Sequence, residues 1–150
     1  MPIKLGMEAK IYYKAGGQGG GGAWTELTNV RDVTLSLETG EADVTTRANS
    51  GWRATVATLK EASVEFEMVW DTADEDFQAI RDAYLNNTTL EVLALDGPVS
   101  GAGSTGNQGL RAVCNVTGFS RSEPLEEALS VSVTVKPAYS ANPPTWHVVP

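Results

Sequence analysis

The sequence predicts a mainly β protein: a β-sandwich or partly closed barrel, with one flanking α-helix at about residues 73–85 and long extended loops. Three observations predict it. Several stretches alternate apolar and hydrophilic residues with a period of two. One stretch repeats apolar residues at helical spacing, and two glycine-rich runs interrupt the pattern. At 150 residues the chain can bury a core and is expected to form one domain, 1–150.

Residues 8–14 (EAKIYYK) read as a first strand, with Ala9, Ile11 and Tyr13 facing one way. Residues 16–22 (GGQGGGG) read as a flexible loop, because glycine loses the most backbone entropy on ordering. The run lacks the Gly-Lys-Ser/Thr ending of a phosphate-binding loop and opens no helix. Residues 24–27 form a short strand. Residues 30–38 form a clear one, Val33, Leu35 and Leu37 lying opposite Thr34, Ser36 and Glu38. From 39 to 58, β-branched residues flank the turn signal Asn49-Ser50-Gly51, which predicts a long extended hairpin. An excursion that buries little of itself often serves to bind a partner.

The central stretch, 62–97, reads strand, helix, strand. Val64, Phe66, Met68 and Trp70 alternate with Ser63, Glu65, Glu67 and Val69. Thr72-Ala-Asp-Glu75 matches a capping box, and Asp74, Glu75 and Asp76 suit the positive end of the helix dipole. Ala73, Phe77, Ile80 and Tyr84 then form one apolar stripe. Asn86-Asn87 tolerates a left-handed helix end. Leu90, Val92 and Ala94 resume the alternation up to a turn at Asp96-Gly97-Pro98.

Residues 97–109 form a second flexible loop by composition, and 110–119 and 129–136 two more strands. In the last, Val131, Val133 and Val135 oppose Ser132, Thr134 and Lys136. Pro124, in the connection, forbids a ladder hydrogen bond at its position. The tail 139–150 carries Pro143-Pro144 without periodicity and is expected to be an extended arm.

Nineteen acidic against eleven basic residues give a net charge of −8. Gripping nucleic acid through its phosphates needs clustered Lys and Arg, so the surface can surround nucleic acid but not hold it. One cysteine, Cys114, excludes an internal disulfide and points to a reducing site of synthesis. The opening residues lack a continuous apolar core, so neither signal peptide nor membrane anchor is expected there. No segment approaches the roughly 20 apolar residues of a bilayer span.

No catalytic site, metal or cofactor is expected. The single histidine, His147, lies in the aperiodic tail, which disfavours a Ser-His-Asp or Cys-His arrangement. Cys114 sits mid-strand, where a small buried side chain is expected. One His and one Cys cannot assemble an ordinary zinc site within one chain. Asp71, Asp74, Glu75 and Asp76 lack the central glycine and terminal glutamate of a calcium loop, and helix-start electrostatics explain them. Glu65 and Glu67 lie on one strand face about 7 Å apart, nominally a glycosidase spacing but also that of any acidic strand. Trp24, Trp52, Trp70 and Trp146 could stack sugars or bases. Trp70 fits the core stripe instead, and exposed Trp52 and Trp146 fit protein contacts. Asn87-Thr-Thr89 and Asn115-Val-Thr117 match glycosylation acceptors, discounted without a secretory signal.

Two further stretches carry a resemblance. VCNVTGFSRSEPLEEALSVSVTVKP, at 113–137, joins a strand, a Phe-Ser-x-Ser turn, Pro-Leu-Glu-Glu and an alternating strand. RDVTLSLETGEADVTTRANSGWRA, at 31–54, joins a strand to a Thr-Arg-x-Asn-x-Gly-Trp excursion. With the central strand–helix–strand, they resemble the major tail tube proteins of tailed bacteriophages over residues 3–139. The resemblance implies a structural virion protein without enzyme activity. Its subunits would form rings, usually hexamers, whose sheets join into an inner barrel, and the rings would stack into a tube that guides DNA outward.

It further implies assembly in the host cytoplasm, no membrane contact, and tail terminator, tape measure and baseplate proteins as partners. The hairpin 39–58 would then bridge subunits through Thr45, Thr46, Arg47, Asn49, Trp52 and Arg53, with the tail as a second arm. Thr34, Ser36, Glu65, Glu67, Asn115, Thr117, Ser132 and Thr134 would face the lumen. They include two carboxylates and no Arg or Lys, a lining that lets DNA pass without adhering. The inner tube of a contractile injection system is the rival structural reading. A carbohydrate-binding sandwich using Trp24 and Trp52 is the rival of another class, and a glycosidase built on Glu65 and Glu67 is weaker still.

Overall fold

The computed structural model describes residues 6, 9–15, 24–123, 125–139 and 143–150. The glycine run 16–22 and Pro124 lie outside the described residues. Among these described residues, eight strands form one antiparallel sheet: β1 Lys10–Ala15, β2 Thr25–Glu26, β3 Val30–Asp43, β4 Thr55–Val69, β5 Thr89–Leu95, β6 Gln108–Ser122, β7 Ser130–Pro137 and β8 Thr145–Val148. An α-helix, α1 at Glu75–Asn86, separates β4 from β5.

The strand order is β2-β1-β5-β6-β7-β4-β3, with β8 added beside β6. A sandwich or partly closed barrel resolves into a single open sheet, and β6 is the reason. The half of this strand nearer its start pairs with β5, and the half nearer its end pairs with β7. No break separates two walls. A register slip between Val116 and Gly118 falls where β6 passes from one partner to the other, and a bulge at such a point bends a strand.

Alternation places the core as expected on β4, β6 and β7. Val64, Phe66, Met68, Val116, Val131, Val133 and Val135 share one buried cluster with Ile11, Tyr13, Leu90 and Val92. Helix α1 adds Phe77, Ile80 and Ala83. Phe77 meets Trp70 edge-on at 4.9 Å and Phe119 at 6.0 Å. A smaller cluster, Tyr12, Leu93, Leu95 and Val149, covers the other face of β1 and β5. Strand β5 is therefore buried on both sides, and its packing on β6 is tight: a Cβ on Gly109 would collide with the Ala94 carbonyl.

Five readings change. The helix is capped by Asp74, whose carboxylate accepts from the Asp76 amide at 3.2 Å, and not by Thr72. Asp71 and Asp74 close a turn first, so the helix starts two residues later than the capping-box pattern suggests. The apolar stripe loses Ala73, which is exposed, gains Ala83, and leaves Tyr84 stacked on Phe119 at the margin. The Asn87 end holds: its φ is 54° and its amide donates to the Ala83 carbonyl.

Strand β3 forms, but of its apolar side only Leu35 and Val30 reach the core; Val33 and Leu37 stay 40% and 55% exposed. As the terminal strand of the sheet, β3 outruns the core. The loop at 97–109 is hydrogen-bonded rather than loose. Buried Asn107 donates to the carbonyls of Pro98 and Gly103, and Asp96 accepts from the Gln108 amide. Finally, the tail is not an extended arm over 145–148. There it is β8, with Val149 buried beyond it and exchanging backbone bonds with Gly106 and Asn107.

Candidate functional site

Strands β6, β7, β4 and β3 form a four-strand panel whose inner face holds the core. Its outer face is polar because the alternation that buries Val, Phe and Met turns every second side chain outward. Thr34, Glu65 and Thr134 stand in one row across β3, β4 and β7. Arg31, Glu67, Ser132 and Ser120 make the next row, and Ser36 pairs with Ser63. Asn115 stands opposite Lys136, and the Thr117 hydroxyl donates to the Thr134 carbonyl at 3.3 Å.

All eight polar positions singled out from the sequence thus share one face. Sequence reasoning missed Arg31, Ser63, Ser120 and Lys136 on it. Alternation places Ser63 and Lys136 on this side too, but strict alternation would set Arg31 with Val33 and Ser120 opposite to Thr117; the register slips at 31–34 and 116–118 turn both onto the polar face. Arg31 pairs with Glu67 at 3.4 Å, so the face carries basic groups as well, but Glu38 and Glu61 extend its acidic side.

The panel has two open edges. Among the described residues, β3 pairs only with β4, and residues 116–122 of β6 pair only with β7, since β5 begins at Thr89, opposite Asn115. Unpaired ladder groups of this kind are templates for another strand. No sequence pattern could reveal the β6 edge, because it depends on where β5 starts.

Beyond the panel, β3 and β4 run on as a hairpin whose residues are nearly all exposed from Glu38 to Glu61. Its tip is locally built. The Asp43 carboxylate accepts from the Thr45 amide; hydrogen bonding from the Thr45 side chain, then from that amide, holds the carboxyl below its ordinary range, and the Ala54 amide donates to the Thr45 hydroxyl. A short 3₁₀ turn, Arg47–Asn49, begins at Thr46, whose hydroxyl accepts from Ala48. It ends at left-handed Ser50 and Gly51, as the turn signal at 49–51 predicts. Trp52 stands 78% exposed beside Arg53. Thr45 and Thr46 shape the tip, while Arg47, Trp52 and Arg53 project from it.

The other candidates fall apart geometrically. The four tryptophans sit in four places: Trp24 between Lys14 and Arg111, Trp70 against Phe77, Trp52 on the hairpin, and Trp146 bonded to Gln108 on β8. They make no platform. Glu65 and Glu67 lie on an open face without the apolar setting that keeps a catalytic acid protonated. The carboxylates of Asp71, Asp74 and Asp76 are engaged by Ala73, Asp76 and Tyr13 respectively. Burial pushes the Cys114 thiol up to about 12, and burial, then Arg111, lowers His147. No helix is long and apolar enough to cross a membrane among the described residues.

Comparison with known proteins gives a consistent answer. The tail of an empty gene transfer agent particle, refined helically with C6 symmetry, matches at a TM-score of 0.73 and 16% identity, covering 97% of this chain and 100% of that one. The SPP1 tail tube matches at 0.68 and 16%, covering 89% and 75%. A chain of the anti-feeding prophage baseplate matches at 0.62 and 8%, covering 99% and 97%. At such identities the likeness is one of fold. No curated protein sequence matches. The family model described as phage tail tube protein matches residues 9–138, and the chain belongs to that family.

Proposed function

We propose that this tail tube subunit closes with other copies into a ring, six being the number in the similar gene transfer agent tail, and that rings stack into a conduit for DNA. The observation that carries this is the four-strand panel with one polar face and an open edge on each side. Joining the β3 edge of one copy to the 116–122 edge of β6 in the next removes both exposed ladders and continues a single sheet around the ring. The polar face becomes the lumen wall. Its carboxylates at 38, 61, 65 and 67 outnumber Arg31 and Lys136, so phosphates slide past rather than bind.

The hairpin serves as the bridge between neighbours through Thr45, Thr46, Arg47, Asn49, Trp52 and Arg53. Tail terminator, tape measure and baseplate proteins are the partners at the tube's ends and in its bore, and assembly takes place in the host cytoplasm. The role is structural and non-catalytic. Negative-stain microscopy of concentrated protein tests the proposal: rings and hollow tubes are expected. Tubes whose lumen proves basic on charge mapping, or a chain whose panel edges stay solvent-exposed in every particle formed, would refute it.

A further inference from the structure

Helix α1 carries the chain from the end of β4 to the start of β5, which enters the sheet at Thr89, opposite Asn115 of β6. The last turn of α1 therefore stands on the side of β6 that lies open at 116–122. A row of rings marks the crossing: Trp70, Phe77, Phe119 and Tyr84 follow one another at 4.9, 6.0 and 5.8 Å between centroids. Phe77 is fully buried, but the row runs out in Tyr84 and Leu85, both exposed. Apolar surface left uncovered beside an unpaired strand edge marks a contact site.

The opposite edge of the panel holds the complement. On the core side of β3, Val33 and Leu37 are exposed and Leu35 is only partly buried. Val33 and Leu35 form one wall of an open groove of about 310 Å³, with Ala94, Leu95, Gly109 and Trp146 across from them. Lys10, Asp96 and Gln108 also line it, but each is engaged: Lys10 by Glu26, the Asp96 carboxylate by the Gln108 amide, and the Gln108 side chain by Trp146. What the groove offers a partner is apolar.

The two edges match in direction and in face. Every step from β6 through β7 and β4 to β3 is antiparallel, so β3 runs opposite to β6 and can meet the β6 of another copy antiparallel. With the polar faces aligned, alternation sets Val33, Leu35 and Leu37 on the same side as the neighbour's Phe119, one strand spacing of about 4.8 Å away. The end of the neighbour's α1 then lies over the groove.

We infer that Tyr84 and Leu85 of a second copy of this chain seat in the apolar groove beside Val33, Leu35 and Leu37, so that α1 seals the joint between sheets and the core continues from copy to copy. This rests on the ring reading above and names the side chains that lock its joint. It needs no residue between 39 and 58.

Paired cysteines in the full chain test it. Leu85→Cys combined with Val33→Cys, or with Leu37→Cys, alters exposed positions only, and the native Cys114 is buried. Within one chain the two positions lie at opposite edges of the panel, at least three strand spacings or roughly 14 Å apart, whereas a disulfide spans about 3.8 Å between Cβ atoms. Mild oxidation of tubes should link chain to chain through at least one pair, giving a ladder of multimers on a non-reducing gel, and oxidation of monomers should not. Leu85→Asp should raise the concentration needed for assembly by about tenfold or more, as loss of a buried leucine does. Its monomer should fold and melt like the parent, since Leu85 lies outside the core. Tubes that crosslink through neither pair, or Leu85→Asp protein that assembles as readily as wild type, overturn the inference and leave the tube reading standing. A wild-type chain that never assembles overturns both.

Discussion

The phenol of Tyr13 donates a 2.9 Å hydrogen bond to the carboxylate of Asp76, tying β1 to the first turn of α1 across 63 positions of sequence. Both groups are buried, and both titrate above their ordinary values. For Tyr13 the causes are burial, then the bond to Asp76, which bring it to about 12; for Asp76 burial leads, partly opposed by the Tyr13 bond. The strand that opens the sheet and the helix that covers it are thereby held in one unit.

A group whose pKa is higher folded than unfolded stabilises the fold below its unfolded value, and that contribution fades as pH rises through its folded value. Tyr13 and Cys114, each raised to about 12, should therefore make stability fall steeply in alkali, from about pH 9 to 12. Urea denaturation across this range checks it. Tyr13→Phe should cost about 1–3 kcal/mol at neutral pH, through the unpaired buried Asp76, and should flatten the alkaline decline.

Glu91 is fully buried on β5 and held by Arg111, at 2.9 and 3.1 Å to one carboxylate oxygen; the other oxygen has no partner among the described residues. Removing the cation strands a charge. Arg111→Ala should destabilise the monomer by about 3–5 kcal/mol, whereas replacing both residues by apolar ones of similar volume should cost far less. Chemical denaturation of the single and double variants measures the difference. Equal losses would mean that Arg111 acts through its packing on Trp24.

Residues 143–150 can be removed to ask what the tail does for its own subunit. An arm reaching only to neighbours would leave monomer stability unchanged. As the tail supplies β8, Val149 and the Trp146–Gln108 hydrogen bond, truncation should lower the monomer's melting temperature and uncover the 108–111 edge of β6. Differential scanning calorimetry decides.

Deletion of 40–54 joins Thr39 to Thr55 and leaves 55–59 as a turn back to the Thr39–Lys60 pair. Because nothing removed contributes to the core, the variant should fold and melt like the parent. It should fail to form tubes when examined by size-exclusion chromatography and negative stain. Normal tubes would remove the hairpin from the assembly mechanism.

Where local chemistry decides structure, the chain was readable in advance. The valines at 131, 133 and 135 needed only alternation, the hairpin needed its Asn-Ser-Gly turn, and the helix end needed Asn87. What could not be read depends on distant partners. Residues 145–148 have no strand pattern of their own and become β8 because β6 offers a free edge and the smaller cluster accepts Val149. Glycines at 97–109 suggested looseness, while one amide side chain, Asn107, organises the loop. Thr72 and Glu75 fit a capping pattern that Asp74 pre-empted by sitting nearer the first helical amides. For the assembly surface, polarity was legible residue by residue, but the open edge of β6 was not.

Hydrogen exchange on assembled tubes and on monomers tests most directly whether copies share their sheets. Outward-pointing amides of β3, Val30–Asp43, and of β6 at 116–122 have no ladder partner within the described residues of one chain and should exchange readily in the monomer. In tubes both sets should become strongly protected together. Tubes in which both edges exchange as fast as in the monomer would contradict the account.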